Sequence, residues 1–212
     1  SEVFSALSDT YSTMCKMCGS GAAVIWPDFD HVVPDWDAVL NLGFPGLLKR
    51  CEQYRKNREE NGLLDKKTAA FFDGMILSYQ AILALIDRLY RYAKTKAHEK
   101  AEKIAACLLH IRDGAPQNTY EAMQVIFLYF LISECFDAYQ VRSLGNGLDS
   151  TLWRFYQNDI KTGVYTKEEI KEYFRYFLMQ WSAIGNYWGQ PFYMGGTNKD
   201  GSTKYNELSE LI

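Results

Sequence analysis

Residues 65–112 contain no proline and a single glycine, Gly74. Proline removes a backbone donor and clashes with the preceding turn, and glycine adds backbone entropy, so a long stretch with so few breakers is constrained to be helical. Apolar residues recur within it at Ile76, Ala81, Leu83, Ile86, Leu89, Tyr90 and Ala93, a spacing that lines one face of a helix. The pattern predicts one very long helix, or two consecutive helices with a break at 95–98.

The flanks follow the same logic. Residues 2–17 read as a short helix stopped at Gly19, and Ala22-Ala23-Val24-Ile25-Trp26, closed by Pro27, reads as a buried strand. A loop over 28–34 carries His31. Asp35 can cap the next helix, with Val39, Leu40, Leu47 and Leu48 facing inward, a bend at Gly43 and Pro45, and a solvated charged end over 50–61. Asp113-Gly114-Ala115-Pro116 stops the long helical region. Asn118 with Glu121 then forms a capping-box pattern ahead of a helix over 120–138, apolar nearly all round and therefore buried. A loop, Arg142-Ser-Leu-Gly-Asn-Gly147, leads to helices over 149–160 and 167–183, the second opened by Thr166 and Glu169. Trp188-Gly-Gln-Pro-Phe-Tyr-Met-Gly195-Gly196 reads as a strand and a glycine turn, and a short acidic helix over 205–212 reaches the last residue. The expected fold class is mainly α with one or two strands. A lone strand leaves backbone N–H and C=O groups without partners, which is costly when buried, so the partners are expected in sequence outside this chain. The start at Ser1, without a Met, is expected to reflect cleavage or the choice of segment.

Composition narrows the chemistry. The formal net charge is -3 with both signs interspersed, and no basic stripe of the kind nucleic-acid binding needs is present. The longest apolar run, 125–132, falls short of the ~20 residues of a membrane span, and no secretory signal is visible. Five cysteines, at positions 15, 18, 51, 107 and 135, form no disulfide framework and fit a reducing cytoplasm. Cys15 and Cys18 make a CxxC at a helix end, but the other cysteines and the three histidines are too scattered to complete a zinc site. His98 and His110 read as surface or packing residues, and Glu59/Glu60 and Glu168/Glu169 as solvated helix ends. Ser143-Leu-Gly145-Asn-Gly147 lacks the spacing of a phosphate-binding loop and reads as a helix-to-helix turn, and neither GxSxG nor HExxH occurs. The residues alone give a cytoplasmic, mostly helical piece of something larger with no self-evident active site.

Three stretches carry a resemblance beyond composition. Pro116-Gln-Asn-Thr-Tyr-Glu-Ala-Met-Gln124 is similar to a signature of the glycyl radical enzymes of the pyruvate formate-lyase type. Ser143-Leu-Gly145 followed by Leu152-Trp-Arg-Phe-Tyr156, Asp159-Ile160, Gly163 and Thr166 resembles the same family's Ser-x-Gly turn and aromatic-rich helix. Gln190-Pro-Phe-Tyr-Met-Gly-Gly-Thr-Asn-Lys-Asp-Gly201 with Asn206-Glu-Leu-Ser209 resembles its Gly-Gly-x-x-x-Asp-Gly and Asn-Glu-Leu-Ser elements. A weaker match is His31-Val-Val-Pro-Asp35. The order of these elements covers about 22–212.

The resemblance implies that residues 1–212 are a partial domain, the helical outer layer and first strands of a ten-stranded α/β barrel. It implies radical cleavage of a C–C, C–O, C–N or C–S bond in a small substrate. It also implies a glycyl radical installed by an S-adenosylmethionine-dependent activating enzyme, and a homo-oligomer. The radical-carrying cysteine and glycine motifs are not found, so this chain alone is expected to be inactive, with no catalytic residue of its own. Six positions fall where the family brings side chains toward substrate: His31, Gln140, Arg142, Ser143, Phe192 and Tyr193. Relatives carry Gly-His-Ser-x-Ser where this chain has Tyr139-Gln-Val-Arg-Ser143, a departure that argues against a glycerol-dehydratase-like pocket. Arg142 there suits a bidentate contact to an anionic substrate. The alternative is a helical assembly module that keeps the family's front part without its chemistry. A downstream cysteine loop and glycyl loop in the reading frame distinguish the enzyme from the module.

Overall fold

The structure, a computed structural model, describes residues 8–22, 33–135, 143–145, 147–183 and 193–212. The chain divides into two compact units, Ser1–His31 and Val32–Ile212. In the first, helix α1 (Ser8–Gly19) carries Asp9 in its first turn and Lys16 in its last, both favourable to the helix dipole. Its Cys15 and Cys18 are exposed.

The second unit is a helical body. Helix α2 (Trp36–Glu60) starts where the Asp35 carboxylate accepts a 3.0 Å bond from the Ala38 N–H, as the sequence predicts. It is two helices joined at a kink, because Gly43 adopts φ 63°, ψ 176° and Pro45 follows. The kink lets the helix wrap the core, burying Val39, Leu40, Phe44 and Leu47. Leu48, expected inside, is only half-buried. The segment 65–112 does break in two. Helix α3 (Lys66–Lys94) is capped by Asp65, which accepts from Thr68 N at 2.6 Å. Helix α4 (Ala101–Asp113) returns against it after a short connection and forms with it the most extensive helix pair among the described residues.

Helix α5 (Thr119–Ser133) is the centre, touching α2, α4 and the two helices that follow it. Its Ala122, Val125 and Ile126 are fully buried, which is why its sequence is apolar all round. It ends before the expected 138. Helix α6 (Leu148–Thr162) buries Leu148, Leu152, Phe155 and Tyr156, and stops at Gly163 in a left-handed cap. Helix α7 (Lys167–Ala183) packs Trp181 edge-on to Phe130 of α5 at 5.1 Å. Its capping box forms as predicted: Thr166 N donates to Glu169 Oε2 at 2.8 Å, and Glu169 N donates to Thr166 Oγ1 at 3.2 Å. The Asn118 box forms differently. Asn118 accepts from Glu121 N, but Glu121 reaches Gln117 N and His110 Nδ1, each at 2.8 Å, and so ties α4 to α5. Helix α8 (Glu207–Leu211) closes the unit on α6.

Of the two expected strands, the described residues test only the end of the second, and there the expectation is corrected: 193–196 form no strand. Residues 23–26 and 188–192 lie outside the described residues, and among the described residues there is no strand, only an isolated antiparallel bridge between Thr197 and Thr203. The backbone of 193–196 is satisfied by α6 and by a tight turn rather than by a ladder. Tyr193 O accepts from Leu148 N at 2.9 Å, and Gly196 O accepts from Lys204 N at 2.8 Å. At the turn, Asp200 accepts from Ser202 N and Oγ, which holds its carboxyl below the usual range.

One described helix, α3, is long and apolar enough to cross a membrane by length and composition, with a window of mean hydropathy 1.7. It packs on α2 and α4, and Asp73 within it pairs with Arg55 of α2 at 2.7 Å.

Candidate functional site

The polar residues of the motif stretches turn out to be joined to one another. Asp149, at the second position of α6, is fully buried. Its Oδ2 accepts from Ser209 Oγ at 2.5 Å and from Gly195 N at 2.9 Å, and its Oδ1 accepts from Ser150 N at 2.8 Å. Ser209 Oγ in turn accepts from Asn206 N at 3.0 Å, while the Asn206 side chain accepts from Leu208 N and Ser209 N. Asn-Glu-Leu-Ser is thus a capping box for α8 whose serine also donates to a buried carboxylate. A helix N-terminus favours the negative charge, and the hydrogen bonds replace the water it has lost.

A second buried carboxylate does the same one level away. Asp159, near the C-terminus of α6, accepts from Thr119 N at 2.7 Å and so satisfies an orphan N–H in the first turn of α5. Its other oxygen has no partner. Burial pushes the Asp159 carboxyl up, and the Thr119 hydrogen bonds pull the other way. The native state therefore holds this proton to a higher pH than the unfolded chain does. Asp159 contributes most below the ordinary carboxylate range, about pH 4, and that contribution is lost as pH rises through its raised value. The expected result is that Asp159→Asn gains stability relative to the unmodified protein as pH rises from about 4 to 7. Urea unfolding across that range checks it, and a difference independent of pH would contradict it.

Asp149 stands beside a convergence. Trp36 Nε1 donates to Ser143 O at 2.9 Å, and a Cβ on Gly145 would stand 3.1 Å from Val33. On the other side, Gly147 comes so close to Tyr193 that a Cβ there would stand 2.9 Å from the Tyr193 carbonyl oxygen. Residues 33–36, 143–145 with Gly147, and 193–195 therefore meet at the N-terminal end of α6. Beside them opens a cleft of about 670 Å³ bordered by Trp36, Gly145, Thr151, Arg154 and Asn206. Arg154 is committed to Asn41 and to the ring of Phe155 at 4.5 Å. The described wall of the cleft offers positioning and hydrogen bonding rather than an activated nucleophile.

Of the six residues singled out from the sequence, Ser143 and Tyr193 are described, and both stand at this convergence. Ser143 Oγ accepts from Gly145 N at 3.3 Å, and Tyr193 is 70% exposed, its carbonyl tied to Leu148 N. His31, Gln140, Arg142 and Phe192 lie outside the described residues. The sequence reading passed over Asp149 altogether and took Asp159 only as part of a motif. The signal was available: Asp149, Leu152, Tyr156 and Asp159 share one helical face, which places both aspartates on the buried stripe. Among the described residues no cluster of three or more His, Cys, Asp or Glu could hold a metal ion. Cys51 and Cys107 are buried, and burial raises both thiols, so neither is an activated thiolate.

Comparison with known proteins adds the following. A family model described as pyruvate formate lyase-like matches residues 6–212. The glycyl radical subunit of 4-hydroxyphenylacetate decarboxylase from Clostridioides difficile is 26% identical over 95% of this chain. The chain spans 25% of that relative's length. A glycyl radical enzyme from Archaeoglobus fulgidus superposes with a TM-score of 0.72 at 21% identity, over 86% of this chain and 26% of that one. The glycerol-bound B12-independent glycerol dehydratase from Clostridium butyricum gives 0.65 at 20% identity, over 86% and 25%.

Proposed function

Because the chain belongs to the pyruvate formate lyase-like family, we propose that it is the scaffold portion of a glycyl radical enzyme, forming part of its barrel domain and one wall of its substrate pocket. The observation that carries this reading is the convergence of 33–36, 143–145 with Gly147, and 193–195 at the N-terminal end of α6. These are the described flanks of the segments bearing His31, Gln140 and Arg142, and Phe192. In this reading the motif residues His31, Gln140, Arg142, Ser143, Phe192 and Tyr193 serve recognition of a small anionic substrate. Asp149 holds the segment that follows Phe192 through its bond from Gly195 N. A glycyl radical installed by an S-adenosylmethionine-dependent activating enzyme supplies the hydrogen abstraction. In this reading the radical-carrying residues belong to sequence outside these 212 residues. The rest of the barrel is then an obligatory partner, and the 212 residues alone are inactive.

The anionic substrate class is favoured by Arg142, which can pair with a carboxylate in a water-poor pocket. 4-Hydroxyphenylacetate fits that chemistry and glycerol does not. The test is steady-state kinetics of the full-length polypeptide, radical-activated, on both compounds. If Arg142 pairs with a substrate carboxylate, Arg142→Ala should cost about 2–5 kcal/mol in kcat/KM, as for a buried charge losing its partner. Arg154→Ala, which loses its contacts to Asn41 and Phe155, should cost ~0–1 kcal/mol. Equal small effects from both would remove Arg142 from the pocket. A glycyl radical doublet in the electron paramagnetic resonance spectrum of residues 1–212 alone would overturn the scaffold reading.

A further inference from the structure

Away from this cleft, a second one of about 660 Å³ lies between α4, α5 and α7, floored by Met123, Phe127 and Phe177. Its most unusual feature is where Lys103, in the first turn of α4, puts its ammonium. The Nζ sits 5.4 Å from the ring centroid of Tyr120, 4.6 Å from Tyr165 and 4.4 Å from Tyr173. It also donates to the Tyr173 hydroxyl. The rings come from α5, from the α6–α7 connection and from α7, and they brace one another: Tyr173 lies 5.0 Å from Tyr120 and 5.1 Å from Tyr165. A cation over ring faces is attracted by their quadrupoles, more so where water is scarce. Burial raises the Tyr120 phenol to about 12 and the Tyr165 phenol higher still, so the rings stay neutral and the attraction comes from their faces.

The charges around the cage favour cations. Three carboxylates, Glu99, Glu169 and Glu172, line the cleft against two ammoniums, Lys100 and Lys103. Glu172 pairs with Lys100 at 3.3 Å, and Lys100 itself lies over the Tyr176 ring at 4.7 Å. Glu169 is held by the Thr166 N–H and hydroxyl, yet stands close enough for Lys103 to help lower its carboxyl. Both cations of the cleft are thus seated on aromatic rings, and both arrive on flexible stems from the start of α4.

We propose that the rings of Tyr120, Tyr165 and Tyr173 form a binding site for a primary alkylammonium group, filled in this conformation by the protein's own Lys103 and open to an external small amine when Lys103 vacates it. The tethered lysine competes at an effective concentration on the order of millimolar, so an amine binds the unmodified protein weakly. Its displacement uncouples the first turn of α4 from α7. The site is separate from the α6 cleft, and its failure would leave the proposed function untouched.

The test uses Lys103→Ala in the full-length polypeptide with n-butylammonium chloride as probe. Butylammonium should raise the melting temperature of the variant saturably, with an apparent Kd on the order of millimolar. The same response should need at least tenfold more amine in the unmodified protein. Neither n-butanol nor matched sodium chloride should reproduce it. No difference between butylammonium and sodium chloride on the variant overturns the proposal. If Lys103→Ala does not fold, the side-chain methylene protons of Lys103 in the unmodified protein decide: ring currents from the Tyr120 and Tyr165 faces should shift them upfield. Random-coil positions for those protons overturn it as well.

Discussion

Replacing Asp149 with alanine is expected to lower stability by about 3–5 kcal/mol. Two oxygens of one fully buried carboxylate accept from Ser150 N, Gly195 N and Ser209 Oγ. Hydrogen bonds to a charged acceptor are worth about 1.5–3 kcal/mol each, and a buried donor left unpaired costs about 1–3 kcal/mol. The Ser150 N–H is at a helix start and finds water most easily, so the loss is concentrated in the Gly195 and Ser209 bonds. Asp149→Asn keeps one acceptor but turns an amide N–H₂ toward the donors, and should fall between the two. Urea unfolding measures the total, and hydrogen exchange should show the Leu148 and Gly195 amides losing protection first. Asp37→Ala, an exposed aspartate on the same cleft, provides the comparison, with an expected change within about 0.5 kcal/mol. An Asp149→Ala loss no larger than that would show that the network does not hold these segments together.

The same glycine-to-alanine change should have opposite signs at Gly43 and Gly74. Gly43 has φ 63° and ψ 176°, a region essentially closed to residues with a Cβ and costing about 1–3 kcal/mol. A Cβ there would also stand 2.7 Å from Gly114 O and 2.9 Å from Ala115 Cα. Both are backbone atoms of the α4–α5 connection, which cannot move without disturbing the start of α5, and overpacking of this kind adds about 1–3 kcal/mol. Gly43→Ala is therefore expected to destabilise by about 3–5 kcal/mol. Gly74 sits inside α3 with open space around it, so Gly74→Ala should stabilise by about 0.5–1 kcal/mol through helix propensity. Thermal melts of both variants settle the matter, and a shift of the same sign in both would mean the kink at Gly43 is not needed.

Much of the helical body was legible because its signals are local. Asp35, Asp65, Thr166 and Asn206 precede helices at the positions where a short polar side chain can meet free N–H groups. The all-round apolarity of α5 reports its burial, whereas the apolar stripe of α3 gave the helix but buries fully only Ile86 and Ala93 of the residues it named. From Tyr193 to Gly196 the expected strand gives way to a turn, because an apolar run cannot say what its backbone will bond to. The Tyr193 carbonyl found Leu148 and the Gly195 amide found Asp149, contacts separated by more than forty residues. The Asn118 box failed in the same way, as His110 and Gln117 drew the Glu121 carboxylate away from its expected partner.

The sequence by itself determined the helices, the proline and glycine breaks between them, and the family, because caps, periodicity and motif order are all written in neighbouring residues. Only the tertiary structure decided what the motifs are for. Asp149 and Asp159 read as ordinary charged residues in a mixed-charge helix until folding removes their water and gives each a backbone N–H from a distant turn. The Tyr120, Tyr165 and Tyr173 cage likewise exists only because α4, α5 and α7 meet. Desolvation and long-range hydrogen bonding are properties of the packed arrangement, and no local pattern along a single chain encodes which partners will supply them.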